Sequence, residues 1–210
     1  MKFLSPDSKF MTAMSRLGDL VVLNFVFLLT CLPVFTVGAA LTALYTVCFQ
    51  MASGREGGLL RGYFRAFRAN FGQATGLWLL LVAVGACVGF DSVLFYRMSG
   101  PAHYLYFPPV VLLVVLVLAG GYVFPLLSQF RNTGRQTLKN AIFLSLGYLP
   151  RSMVVALLNV FPFAVLLFDL VLFLETAFLW VFLYFSAIAY LNALLLKKIF
   201  EPYFTKEESP

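Results

Sequence analysis

Lysine and arginine recur at helical spacing in two segments of this sequence, where their cationic groups would bind anions. The first segment is residues 54–73, GREGGLLRGYFRAFRANFGQ. Wound as a helix over residues 59–71, it places three guanidinium groups on one stripe: Arg61, Arg65 and Arg68. Another stripe has only small side chains, which would let a neighbouring helix approach closely: Gly62, Ala66 and Ala69. The segment is predicted to be an amphipathic helix in the headgroup region of a membrane.

The second basic segment, residues 129–140, carries Arg131, Arg135 and Lys139 at successive i+4 spacing. The apolar run that follows, residues 141–149, is too short to cross a bilayer, so residues 133–148 are predicted to form a second interfacial helix ended by Pro150. Two interpretations of both basic segments remain open. They attract anionic lipid headgroups, or they form a docking surface for a cytoplasmic or membrane partner.

Four polar residues are expected inside or at the edge of the membrane: Asn24, Asp91, Asn159 and Asn192. The three amides would hydrogen-bond across helices, or line a polar pocket for a solute together with Tyr45 and Tyr190. Asp91 is expected near the outer boundary of its helix, which favours an interfacial role over ion coupling.

The sequence offers no constellation of residues that would support catalysis or hold a cofactor. His103 is its one histidine, and the three cysteines, Cys31, Cys48 and Cys87, stand apart within apolar runs. No phosphate-binding loop, dinucleotide fingerprint or nucleophile motif is apparent. We therefore expect a protein that is not an enzyme and has no metal site and no cofactor.

Composition indicates which elements must position these residues. The chain is 61% hydrophobic and 11% charged, with a mean hydropathy of +0.91, whereas soluble proteins are roughly half apolar and a quarter charged. We predict an all-α, polytopic membrane protein in which all 210 residues form one integral membrane domain. The six predicted spans are residues 17–31, 38–52, 74–96, 104–127, 152–170 and 177–196. The first two are short, so a hairpin that spans fully and a re-entrant hairpin both remain open.

The distribution of positive charge predicts the orientation. With six spans and both termini in the cytoplasm, every lysine and arginine except Arg97 lies inside, which is fourteen of the fifteen. A multi-pass protein of a bacterial plasma membrane is expected. We expect the basic residues to determine the orientation of the protein in the membrane. Nucleic acid is not expected as a partner, because no base-stacking element accompanies the basic residues.

Four blocks of the sequence resemble the bacterial YesL family of small membrane proteins, a domain of unknown function. They are GDLVVLNFVFLLTCLPVFTVGAALTALYTV from Gly18, GREGGLLRGYFRAFRANFGQATGLWLL from Gly54, residues 122–152, and YLNALLLKKIF from Tyr190. The resemblance implies genes beside carbohydrate ABC importers, two-component sensors or glycoside-degrading enzymes, and it implies no catalytic residues.

Two classes of function are therefore expected. The first is a non-enzymatic accessory or interaction protein for carbohydrate uptake or sensing, with subunits of an ABC importer or a sensor kinase as partners. The second is a small oligomeric permease or channel for a small solute. Both would use the lipid bilayer, with its anionic headgroups, as their immediate environment.

Overall fold

The computed structural model describes residues 9–55 and 57–207, so Lys2, which enters the orientation count above, lies outside the described residues. The predicted all-α fold is confirmed, because the described residues contain helices and no strand. In chain order the helices are α1 (Lys9–Cys31), α2 (Val37–Ala52), α3 (Leu59–Arg97), α4 (Phe107–Gln129), α5 (Gly134–Gly147), α6 (Leu149–Phe168), α7 (Leu170–Glu175), α8 (Ala177–Leu179) and α9 (Phe185–Glu207).

Six helical stretches of the described chain are long and apolar enough to cross a membrane. They are Met14–Cys31, Val34–Ala52, Leu59–Arg97, His103–Gln129, Leu149–Phe168 and Ala177–Glu201. Many of their large apolar side chains are exposed on the outside of the bundle, as lipid contact requires. The protein is a multi-pass membrane protein.

The helix α2 lies at the centre of the bundle and packs against α1, α3, α4 and α9. Its small residues allow close packing, which drives helix association in lipid. At Gly38 a Cβ would collide with the carbonyl oxygen of Ala74 and lie 2.7 Å from Cβ of Trp78. The crossing of α2 and α3 therefore depends on a glycine at this position.

The helix α3 is one uninterrupted element of 39 residues, about 58 Å long. The first amphipathic segment was expected as a helix of its own before the third span, but it forms the beginning of α3. By contrast α5 is separate and ends at Gly147. Pro150 does not end α5; it lies in the first turn of α6, where its missing N–H costs no hydrogen bond.

The hairpin of α1 and α2 reaches only half-way along α3. A 3₁₀ turn, Val34–Thr36, forms the tip of this hairpin, and the indole of Trp78 donates a 2.9 Å hydrogen bond to the carbonyl oxygen of Val34. Trp78 is 19 residues from each end of α3 (78 − 59 = 97 − 78 = 19). The second half of α3 instead packs against α4, as at Gly85, where a Cβ would lie 3.3 Å from Leu116.

Candidate functional site

Three arginines from the two basic segments line one groove at the end of the bundle where α3 begins. Arg61 and Arg65 come from the first turns of α3, and Arg131 comes from the link between α4 and α5. The groove has a volume of about 850 Å³. We call it the arginine groove.

The small residues of α3 form the floor of the arginine groove. Gly62, Ala66 and Ala69 all line it, so the predicted smooth stripe lies beneath the guanidinium groups. A Cβ on Gly62 would meet Oε1 of Gln50 at 3.5 Å, so α2 closes one side. Ala66 is buried there, whereas Ala69 is exposed. The stripe is thus only partly covered by a neighbouring helix, and its uncovered part is open space.

The link after α4 is held against α3 by polar contacts. Nε2 of Gln73 donates a 2.7 Å hydrogen bond to the carbonyl oxygen of Asn132. A Cβ on Gly134 would lie 3.5 Å from a methyl group of Leu77, so α5 starts in direct contact with α3. These contacts place Arg131 next to α3, although the two basic segments are far apart in the sequence.

Positive charge predominates among the described residues of the arginine groove. Arg61, Arg65 and Arg131 are exposed, and none makes an ion pair or a side-chain hydrogen bond with another described residue. No described acidic side chain lines the groove, and its walls carry the amides of Gln50 and Gln73. Guanidinium groups bind carboxylate and phosphate oxygens in bidentate pairs, so the groove has the chemistry of an anion-binding site.

The other predicted basic residues do not line the arginine groove. Arg68 is exposed on α3 outside it. Arg135 and Lys139 line a separate hollow of about 430 Å³ with Thr133, Gln136 and Asn140. The six basic residues of the predicted interface are therefore divided between different surfaces.

Asn24 is fully buried between α1 and the last membrane-crossing stretch. Its amide nitrogen donates hydrogen bonds to the carbonyl oxygens of Trp180 (3.1 Å) and Val181 (2.6 Å), and its Oδ1 accepts one from the backbone N–H of Ser186 (3.0 Å). These groups lie in or beside the π-helical segment Trp180–Tyr184. A π-helical turn changes the backbone hydrogen-bonding pattern locally. Asn24 provides hydrogen bonds to these backbone groups, which lipid cannot provide.

Asn192 and Asn159 meet inside the bundle, but Asn24 and Tyr190 are not part of their cluster. Asn192 is fully buried and donates to the hydroxyl of Tyr45 (3.2 Å) and to Oδ1 of Asn159 (3.3 Å). Its own Oδ1 is buried without a partner among the described residues. Tyr190 instead accepts a 3.3 Å hydrogen bond from Arg16. The expected five-residue polar pocket is thus divided.

The remaining predicted residues lie towards the opposite end of α3. Asp91 is exposed one turn and a half before the end of this helix. Nδ1–H of His103 donates a 3.0 Å hydrogen bond to the carbonyl oxygen of Tyr96, and the ring of His103 packs with those of Tyr96, Tyr104 and Tyr106. Among the described residues no three histidine, cysteine or carboxylate side chains are grouped as metal ligands would be.

Two residues with structural roles were missed by the sequence analysis. Gln73 positions the link that carries Arg131, as described above. Tyr63 is fully buried, and its hydroxyl lies 2.6 Å from Oγ1 of Thr30, which joins the start of α3 to α1. Tyr63 is the one tyrosine of the amphipathic segment and lies beside the small stripe, which was an available signal for an inward-facing position.

Comparison with known proteins links the chain to proteins without an assigned activity. Residues 20–92 match the family model described as "Protein of unknown function, DUF624". This match includes Arg61 and Arg65 and stops before Arg131. The chain is also similar to the uncharacterized protein YteU of Bacillus subtilis (strain 168), with 28% identity over 141 residues. That alignment covers 67% of this chain and 64% of YteU, so the chain spans less than two thirds of that relative's length.

No solved structure matches the chain significantly. The protein is thus a multi-pass membrane protein with similarity to the DUF624 family over residues 20–92, which include most of the first three helical stretches long enough to cross a membrane.

Proposed function

We propose that this protein is a non-enzymatic accessory protein of the plasma membrane, which docks an acidic segment of a partner membrane protein in the arginine groove. The groove lies on the cytoplasmic side in this proposal, where positive charge accumulates. One observation carries the proposal. Arg61 and Arg65 of α3 and Arg131 of the link after α4 line the same groove without a described acidic neighbour.

General attraction to the membrane surface accounts for basic residues on that side, but it does not require them to converge. Three guanidinium groups that share a groove repel one another unless an anion lies between them. The described lining of the groove is mainly polar and small side chains, and Leu127 and Phe130 are its large apolar residues. A carboxylate-bearing peptide segment fits this combination of charge and shape better than a lipid does.

Affinity capture from native membranes after crosslinking tests this proposal. The groove variant combines Arg61→Gln, Arg65→Gln and Arg131→Gln, and the matched control combines Arg68→Gln, Arg135→Gln and Lys139→Gln. Both lose three positive charges, but only the first loses them from the groove. The partner captured by the natural protein should remain with the control and be lost from the groove variant.

A second variant tests the shape of the groove without changing its charge. Ala69→Leu adds bulk to the exposed part of the floor and should also abolish capture. Reversal of the acidic residues in the captured partner should have the same effect. The proposal fails if both three-residue variants capture equally, or if a soluble phosphorylated ligand occupies the groove instead.

The resemblance to the YesL family supports a finer proposal for the partner, a subunit of a carbohydrate ABC importer or a sensor kinase. Mass spectrometry of the captured partner tests it directly. A partner unrelated to carbohydrate uptake or sensing would leave the docking proposal intact and remove this finer part.

A second candidate function is a small oligomeric permease, and the cluster of Tyr45, Asn159 and Asn192 supports it. A buried amide oxygen without a partner is costly in the interior of a membrane bundle, and a passing polar solute would satisfy it. Solute flux into liposomes that contain this protein alone, lost in Asn192→Leu, would support this candidate. Absence of flux with functional reconstitution controls would remove it.

A further inference from the structure

A second pocket lies between the end of α4, the helix α5 and the end of α9, and it adjoins the arginine groove at Phe130 and Asn132. It has a volume of about 370 Å³, within the roughly 300–1,000 Å³ typical of small-molecule sites. One wall carries the amide side chains of Gln136 and Asn140, which are four residues apart on α5. The opposite walls carry apolar and aromatic side chains, including Leu144, Tyr148 and Phe200.

Positive charge borders the amide wall of this pocket. Gln136 and Asn140 also line the hollow that contains Arg135 and Lys139, so the pocket and the hollow adjoin at these two amides. Nζ of Lys139 lies 5.9 Å from the centre of the Phe143 ring, which lines the pocket. The side chains on this surface of α5 thus change from cations to amides and then to aromatic and aliphatic groups.

The polar groups along this surface are available to a ligand. The side chains of Gln136 and Asn140 make no hydrogen bond with another described residue, and no described acidic side chain lines either cavity. Beside the pocket, Ile142, Phe143 and Leu146 expose apolar side chains, as expected at the boundary with the acyl chains of a bilayer.

We infer that this pocket holds one molecule of an anionic phospholipid. The phosphate lies at Arg135 and Lys139, the glycerol ester groups accept hydrogen bonds from the amides of Gln136 and Asn140, and an acyl chain runs along Phe143 and Leu144. Two cations with no acid among the described residues that line either cavity select a lipid with net negative charge over a zwitterionic lipid. None of the four polar residues that would hold the lipid lines the arginine groove, so the inference does not depend on the proposed docking function.

Native mass spectrometry of the purified full chain tests the inference. Phosphatidylglycerol and phosphatidylcholine with the same acyl chains are added to the detergent-solubilised protein. We expect one phosphatidylglycerol to remain bound and phosphatidylcholine to dissociate. The double variant Arg135→Gln with Lys139→Gln should bind phosphatidylglycerol roughly thirtyfold more weakly.

Two further variants separate the pocket from general charge and from folding. Arg55→Gln with Arg68→Gln loses the same charge at residues that line neither the pocket nor the arginine groove, and this variant should bind like the natural protein. Gly147 lines the pocket, and a Cβ there would meet no atom within 4 Å, so Gly147→Leu should place its side chain in the pocket and reduce binding at least tenfold. An unchanged melting temperature verifies that each variant is folded.

Several results would overturn the inference. They are equal retention of phosphatidylcholine, undiminished binding to the Arg135/Lys139 double variant or to Gly147→Leu, and binding of soluble glycerol phosphate as tight as that of the lipid. The last result would identify a site for free phosphate esters. Each is independent of partner capture by the arginine groove.

Discussion

At the scale of single residues, Asn24 shows how one side chain joins two distant helices. It satisfies two carbonyl oxygens and one N–H around the π-helical segment, all of which would otherwise face an apolar bundle. The hydroxyl of Ser186 adds a 2.7 Å hydrogen bond to the carbonyl of Leu20 on α1. The contact between α1 and the last crossing stretch is therefore polar at its centre.

Replacing Asn24 with leucine should destabilise the protein. The change keeps a similar volume but leaves buried backbone groups without partners, and hydrogen bonds between membrane helices contribute about 0.6 kcal/mol on average, with a maximum of about 1.7. We expect a loss of about 1–2 kcal/mol, measured as a lower melting temperature in detergent. The control is Val22→Leu on the exposed face of α1. Equal melting temperatures for the two variants would contradict a structural role for Asn24.

At the scale of elements, α2 and α3 form the most extensively packed helix pair among the described residues, and the arginine groove depends on their packing. Gly38 sets their separation at one point, and Gln50 adjoins the floor of the groove near Gly62. Displacing α2 from α3 would therefore change the width of the groove.

Gly38→Ala should separate α2 from α3. The new methyl group would clash with the backbone of Ala74, and forced overpacking typically costs about 1–3 kcal/mol. Thermal unfolding in detergent measures the effect. Gly76→Ala is the matched control, because a Cβ on Gly76 of α3 would meet nothing within 4 Å. Unchanged stability of Gly38→Ala would show that the two helices do not pack as closely as described.

The same elements show what local sequence patterns predict and what they miss. The stripes of α3 were predictable because helical periodicity places side chains directly. Its continuity was missed because hydropathy marks a change of environment near Ala74, although no proline interrupts residues 59–97. The arginine groove was not predictable, because Arg131 reaches α3 through tertiary contacts such as that of Gln73 with Asn132. Periodicity within one segment contains no information about that pairing.

At the scale of the whole molecule, the hairpin of α1 and α2 extends along only half of the length of α3. The hairpin tip contacts the midpoint of α3 and exposes Leu32 (75%), Val34 (72%) and Phe35 (51%). From that point α3 continues for about 28 Å towards its other end, so the tip stops well short of the far end of this helix. These dimensions favour a re-entrant hairpin, which returns the chain to the same side as a fully spanning hairpin would.

Cysteine labelling distinguishes the two arrangements. In a background without Cys31, Cys48 and Cys87, a Val34→Cys thiol should resist a membrane-impermeant maleimide from both sides, because it lies in hydrocarbon. Ser53→Cys and Ser99→Cys, at the exposed ends of α2 and α3, should react from opposite sides. Labelling of Val34→Cys from the same side as Ser99→Cys would show that the hairpin crosses the whole bilayer.

The unbroken length of α3 has a mechanical consequence. Its first turns carry Arg61 and Arg65, its last residue is Arg97, and no proline hinge separates them. A rigid rod of about 58 Å that pivots at its first turn moves its far end by about 5 Å for each 5° of tilt. A tilt of α3 that changes the width of the arginine groove therefore also displaces the far end of this helix. The aromatic cluster around His103, where Tyr96 packs, moves with it.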